Sequence, residues 1–198
     1  MQKLAPTPLK EEYTKIILKA IQTLKNFENE TPVDITNALR DLQEKGHLRL
    51  NLPMEHWEQA ALLYIDGGIP EKWMQIARRR PQKFPTAKSF EKWPELDYTM
   101  YNLMISTIVS LTDGSLAASQ RCAELKLVSF AVDELKAFLA PEGLSERRDS
   151  EVQHLVLLFH NIIQHYIPAV PQLREKGGVR LFTSMLQKYA IGTEFLIC

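Results

Sequence analysis

Apolar residues recur along most of this chain at the spacing of an α-helix, and this spacing limits its fold more than any other feature. The first clear stripe consists of Tyr13, Ile16, Ile17, Ala20, Ile21 and Leu24. The widest apolar face consists of Val152, Leu155, Val156, Phe159, Ile162, Ile163 and Tyr166. We find no sustained alternation of apolar and polar residues and no Asn-Gly hairpin, so the sequence predicts an all-α protein.

Turn and cap signals divide these stripes into separate helices. Thr31, Pro32 and Asp34 together predict the start of one helix. Residues 116–125 and 127–139 are predicted as two short helices separated only by a tight corner. The polar segment 80–94, which contains three prolines, is predicted to be a linking loop.

A helix-turn-helix pattern recurs along the chain. Gly67-Gly68 and Gly177-Gly178 each follow a predicted helix and precede an aliphatic residue and a second short helix. A degenerate middle copy has Leu125-Lys126 near the position of the glycines. Glycine pairs suit a sharp turn between helices, where a left-handed backbone and a close approach exclude a side chain.

This layout resembles the armadillo repeat family. The segment Asp66-Gly67-Gly68-Ile69-Pro70 is similar to that family's turn, and Glu151–Asn161 is similar to its third helix, with Asn161 near the family's groove asparagine. The resemblance covers roughly residues 55–190 and implies a right-handed α-α superhelix, a short solenoid of the armadillo or HEAT type. Leu157 and Thr107 stand where the family has a tryptophan and a second groove asparagine.

The same resemblance implies the domain organisation. Residues 1–54 are expected to form N-terminal helices that make a capping or partial repeat. Residues 55–198 are expected to form about three armadillo-like repeats, of which the middle one is degenerate.

Composition argues against several classes of partner and location. Lys and Arg number 24 and Asp and Glu also number 24, so the net charge is zero and a dedicated nucleic-acid or anionic-membrane binder is not expected. No apolar stretch reaches the roughly 18 residues of a membrane span. Cys122 and Cys198 have neither metal-site nor disulfide-framework spacing, and we therefore expect an intracellular, cytoplasmic setting.

Catalytic and cofactor motifs were sought and none was found. His154, His160 and His165 share one predicted helix at spacings of six and five, which do not bring metal ligands onto one face. The sequence contains no phosphate-binding loop and no nucleophile elbow, and Cys122 is expected to be a buried structural residue. We therefore expect no enzyme activity, no metal and no cofactor.

Candidate contacts for a partner come from the predicted long helices and from a basic run. The run Arg78, Arg79 and Arg80 has two interpretations: a solvated helix end that favours the helix dipole, or a patch for an acidic peptide, a phosphate or a lipid headgroup. Trp73 and Trp93 are expected in the core. The candidate residues on the long helices are Tyr98, Tyr101, Asn102, Gln153, His154 and Asn161.

The leading functional hypothesis is a non-catalytic scaffold or adaptor that binds a protein or peptide, as an armadillo-like regulatory module of a larger signalling or trafficking protein. Two alternatives remain open. One is a self-association module that forms a homo-oligomer, motivated by the apolar residues 195–198. The other is a regulatory domain that binds a phosphate-bearing ligand at Arg78–Arg80.

Overall fold

The computed structural model describes residues 11–26, 30–45, 54–83, 93–138 and 146–190. Within these ranges the chain forms ten α-helices and no strand, so the all-α prediction is confirmed. The helices are α1 (Glu11–Lys25), α2 (Pro32–Lys45), α3 (Met54–Asp66), α4 (Ile69–Lys83), α5 (Glu95–Thr112), α6 (Leu116–Glu124), α7 (Leu127–Phe138), α8 (Glu146–His165), α9 (Val170–Glu175) and α10 (Gly178–Ala190). A 3₁₀ turn, Ile167–Ala169, joins α8 to α9.

The start of α2 is the cap that the sequence predicts. The Thr31 hydroxyl donates to Asp34 Oδ2 at 2.6 Å, and the Asp34 backbone N–H donates to Thr31 Oγ1 at 3.2 Å. The Thr31 N–H also donates to Asp34 Oδ2, at 3.3 Å. Residue 31 therefore caps the helix through reciprocal bonds with a residue of its first turn.

The end of α4 differs from the prediction. The helix continues through Lys83, so the first four residues of the predicted loop 80–94 are helical. Arginine, glutamine and lysine are good helix formers, and they continue the helix past Arg80 although Pro81 has no N–H to donate. Residues 84–92 lie outside the described residues.

Three helix corners share one backbone geometry. Gly68, Lys126 and Gly177 each have a positive φ, of 90°, 62° and 70°. Each donates its N–H to the carbonyl three residues back, at 3.1, 2.9 and 2.9 Å. Each also accepts on its own carbonyl the N–H of the residue four positions ahead, at 3.0, 3.1 and 3.2 Å. The middle corner therefore turns like the other two, although a lysine takes the left-handed position.

The two glycine pairs differ in which glycine makes the close approach to its neighbours. A methyl group at Gly67, before the first corner, would lie 2.6 Å from Ile21 Cγ1 and 2.9 Å from the Leu63 carbonyl oxygen. A methyl group at Gly178, after the last corner, would lie 2.9 Å from the Leu173 carbonyl oxygen. Each pair thus combines one left-handed residue with one close approach, but in opposite order along the chain.

The long helices α2, α5 and α8 lie in a row, because α2 packs against α5 and α5 packs against α8. The corners join the shorter helices into the pairs α3–α4, α6–α7 and α9–α10. Successive pairs are in contact through α3 with α6, α4 with α7 and α7 with α9. In the first two pairs the second helix, α4 or α7, also packs against the long helix that follows it, α5 or α8.

Aromatic residues fill the centre of this arrangement. Trp73 is fully buried, and its ring centroid lies 6.1 Å from that of Tyr101 and 5.3 Å from that of Phe130. Trp93 is also buried, 5.3 Å from Tyr101. Both tryptophans belong to the core, as predicted.

Cys122 is fully buried and unpaired in a disulfide, as expected for a structural cysteine. Burial raises the pKa of its thiol far above the ordinary value, and the negative charge of Glu71 raises it further. In the part of the chain that the structure describes, no helix combines the length and the apolar character needed to cross a membrane.

Candidate functional site

The two tyrosines of α5 that were predicted as partner contacts are buried or half-buried. Tyr101 is fully buried, and its hydroxyl donates to Glu134 Oε2 at 3.5 Å. Its ring packs between those of Trp73 and Trp93. Tyr98 is half-buried against the core. Tyr101 therefore stabilises the packing of α4, α5 and α7 and offers a partner no surface.

Asn102 links two of the long helices. Its Nδ2 donates to Ser150 Oγ at 3.2 Å and to Glu151 Oε1 at 2.9 Å, both on α8. Glu151 is fully buried, so its carboxylate depends on protein hydrogen bonds in place of water. The amide of Asn102 is thus used within the fold.

Asn161 makes the second link between the same helices. It is buried, and its Nδ2 donates to the carbonyl of Val109 at 3.0 Å. The two links advance together along both helices, from Asn102 with Ser150 to Val109 with Asn161, so α5 and α8 run parallel. The asparagine singled out for groove binding therefore holds two helices together.

The remaining two candidates on α8 differ in exposure. Gln153 is exposed. His154 is half-buried, and its Nδ1 is buried without a hydrogen-bond partner in the described structure. Burial lowers the pKa of His154 below its ordinary value of 6.5, because a charged imidazole loses hydration there.

The basic run lies in the last turns of α4. Arg78 is exposed, and its guanidinium carbon lies 5.3 Å from the centroid of the Phe130 ring, within the range of a cation–π contact. The side chains of Arg79 and Arg80 lie outside what the structure describes. An anion-binding role for this run stays a prediction.

Metal chemistry has no arranged site in the described ranges. Among those residues, no group of three or more His, Cys, Asp or Glu side chains could hold a metal ion. The histidines of α8 do not form a shared metal site in the described structure. His165 accepts the Gly114 N–H on Nε2 at 3.1 Å.

The structure contains an apolar groove that the sequence interpretation missed. It lies between α8 and α10 and has a volume of about 430 Å³. We call it the α8–α10 groove, and its lining residues are Val156, Phe159, His160, Ile163, Gln164 and Phe182. Phe159 and Phe182 form its base, with an edge-to-face contact at 5.5 Å between ring centroids and 86° between ring planes.

One sequence signal could have found this groove. The apolar face of α8 is wider than contact with one neighbouring helix needs, because Val156 and Ile163 extend the stripe of Leu155 and Ile162 to one side. A face of that width indicates neighbours on two sides. In the described structure only one side is fully covered.

Comparisons with protein-family models, with curated proteins and with solved structures give no significant match to this chain.

Proposed function

We propose that this chain is a non-catalytic scaffold or adaptor of the armadillo type, a short right-handed superhelix that binds another polypeptide. The observation that carries the proposal is the threefold repetition of one helix corner, at Gly68, Lys126 and Gly177, with the same hydrogen bonds at each. A recurring corner is typical of repeat proteins, in which each unit buries its apolar face against the next.

Contacts between successive units support the same proposal. Arg121 and Gln172 each lie five residues before a corner. Arg121 Nε donates to Asp66 Oδ1 at 3.3 Å, and Gln172 Nε2 donates to the Ala123 carbonyl at 2.7 Å. Both side chains therefore reach back to the end of the preceding unit's first helix, as expected where equivalent units stack in one direction.

Polypeptide recognition is the function that such a stack serves best. Stacked helical units present extended surfaces larger than a small-molecule pocket, and these surfaces suit a peptide or a helix. The lining of the α8–α10 groove combines four apolar residues with the exposed His160 and Gln164, a composition that suits a binding surface.

The proposal is tested with an array of 20-residue peptides that are extended, proline-rich, acidic or amphipathic-helical, each beside a scrambled copy. We expect saturable binding of at least one class and at least tenfold weaker binding of its scrambled copy. Binding of native and scrambled peptides with equal affinity, or of none, would contradict the proposal. Homo-oligomerisation, the second candidate function, is measured on the same sample by light scattering across a range of concentrations.

A further inference from the structure

We propose that the α8–α10 groove binds one amphipathic α-helix of a partner polypeptide, in the position on α8 that α8 itself takes on α5. The bound helix runs parallel to α8 and extends the row α2–α5–α8 by one member. This inference rests on the proposed function and adds the surface and the form of the ligand.

The helices α5 and α8 have equivalent positions in the row of long helices. When Thr107 is aligned with Asn161, the two helices share five buried positions: residues 101, 104, 105, 107 and 108 of α5 and residues 155, 158, 159, 161 and 162 of α8. In this alignment Asn102 and Val109, the residues of α5 that bond to α8, correspond to Val156 and Ile163 of α8. Val156 and Ile163 line the groove. The groove therefore lies on the face of α8 that corresponds to the α8-binding face of α5.

The second helices of the three pairs, α4, α7 and α10, show a related difference that does not depend on that alignment. The fifth residue after each corner is Trp73, Ala131 and Phe182 in turn. Trp73 and Ala131 are fully buried, whereas Phe182 is half-buried. Trp73 is covered by Tyr101 of the long helix α5. Among the described residues no long helix follows α10, so Phe182 has no counterpart of the contact that Tyr101 makes with Trp73.

The form of the ligand follows from these equivalences. The long helix that packs on the second helix of a pair, α5 on α4 or α8 on α7, presents a continuous apolar stripe. In α8 this stripe contains Leu155, Leu158 and Ile162. A helix with apolar residues at i, i+3 and i+7 fills the same kind of surface. His160 and Gln164 at the rim then face polar residues at the edges of that stripe.

A second copy of this chain does not supply such a helix from its described part. The half-buried apolar residues of α10, Leu181, Phe182 and Met185, pack against the core of their own copy. Each exposed large apolar residue in the described part stands alone on its own helix or turn. They are Leu18, Val33, Leu63, Leu96, Leu116, Leu157, Ile167 and Val179. A partner polypeptide is therefore the proposed source of the helix.

The test measures fluorescence anisotropy of labelled peptides on the full chain of 198 residues. One probe has the sequence of residues 146–165, because α8 occupies the equivalent surface of α5. A second is a leucine-striped amphipathic peptide of equal length. Their controls carry serine at every apolar stripe position. We expect saturable binding of at least one striped peptide and at least tenfold weaker binding of its control.

Substitutions in the chain locate the binding. Phe182→Asp and Ile163→Asp each should weaken binding at least tenfold, while Phe182→Leu retains it. Leu116→Asp, at an exposed position on α6, should leave binding unchanged. Helical content and the thermal midpoint are measured for each variant, and Phe182 and Ile163 are only half-buried, so the folded state should tolerate their change.

The remaining outcomes separate this inference from the proposed function. If peptides bind but the groove substitutions have no effect, the inference is wrong and the scaffold function stands. If no peptide of any class binds, both fall. A dimer that dissociates on Phe182→Asp would assign the groove to a second copy and overturn the inference. So would a tenfold gain in peptide affinity on deletion of residues 191–198, because that gain would assign the groove to the chain itself.

Discussion

Lys126 adopts the backbone conformation that Gly68 adopts at the first corner, with φ of 62° against 90° and the same two hydrogen bonds. A side chain in this left-handed region is strained, since its Cβ crowds the following carbonyl. The corner survives at Lys126 because Ala123 before it and Leu127 after it are buried, so that tertiary packing fixes the turn.

The first prediction follows from this strain. Lys126→Gly should raise the free energy of unfolding by about 0.5 to 1 kcal/mol, because glycine accepts the left-handed conformation and the exposed lysine side chain is not part of the core. Urea denaturation measures the change. The matched control is Lys136→Gly, an exposed lysine within α7, where glycine should lower stability by about 1 kcal/mol. A loss of stability in both variants would contradict the proposed strain.

A second prediction concerns the close approach at Gly67. Gly67→Ala should lower the free energy of unfolding by about 1 to 3 kcal/mol, because the new methyl group meets Ile21 on α1 and the Leu63 carbonyl oxygen. Gly114→Ala is the comparison: it carries strain from its positive φ of 81°, but no atom lies within 4 Å of the added methyl. Equal losses in the two variants would show that crowding at α1 adds nothing.

A third prediction assigns Asn102 to stability. Asn102→Ala should cost about 1 to 3 kcal/mol, because it removes a hydrogen bond from the buried carboxylate of Glu151. Gln153→Ala, at an exposed position on α8, should change stability by less than about 0.5 kcal/mol. Both are measured by chemical denaturation. If the Asn102 variant is as stable as the wild type, the bond to Glu151 does not contribute to stability and the prediction is wrong.

A fourth prediction concerns pH. His154 has a lowered pKa in the folded state, so below about pH 6.5 the unfolded chain takes up a proton that the folded chain resists. Its contribution to stability is therefore present above the unfolded pKa and declines as the pH falls through it. We expect His154→Leu to lose less stability than the wild type between pH 7 and pH 5.

The control for that experiment is Gln153→Leu, an exposed position on the same helix with no titratable group. Its pH profile should follow that of the wild type. Thermal or urea unfolding at half-unit steps of pH gives all three curves. Parallel curves for His154→Leu and the wild type would contradict the effect of burial.

Local sequence rules predicted the parts of the fold that depend on neighbouring residues. The Thr31–Asp34 cap and the break between α6 and α7 follow from short-range geometry, and both are present. Apolar spacing identified the long stripe of α8 in the same way. The end of α4 was placed too early, before Arg80, because propensity alone places a helix end only within a few residues.

The candidate site was harder to predict for a physical reason. Helical spacing shows that Asn102 and Asn161 lie on a face, but not which neighbour that face meets. Only the packing of α5 on α8 shows that both amides bond within the fold. The α8–α10 groove likewise depends on Phe182 lying beside Phe159, a contact that no local pattern in the sequence specifies.

The incomplete cover of α10 has a consequence for the order in which the molecule opens. Among residues 178–185 of α10, only Gly178 is buried, so little apolar surface in this part of the helix resists its local unfolding. Amide protons in α10 should therefore exchange with solvent faster than those in α5, where residues such as Met104 and Ile108 are fully buried. A helix bound beside Phe182 would slow that exchange first, and ligand capture and the ordering of this end would be one event.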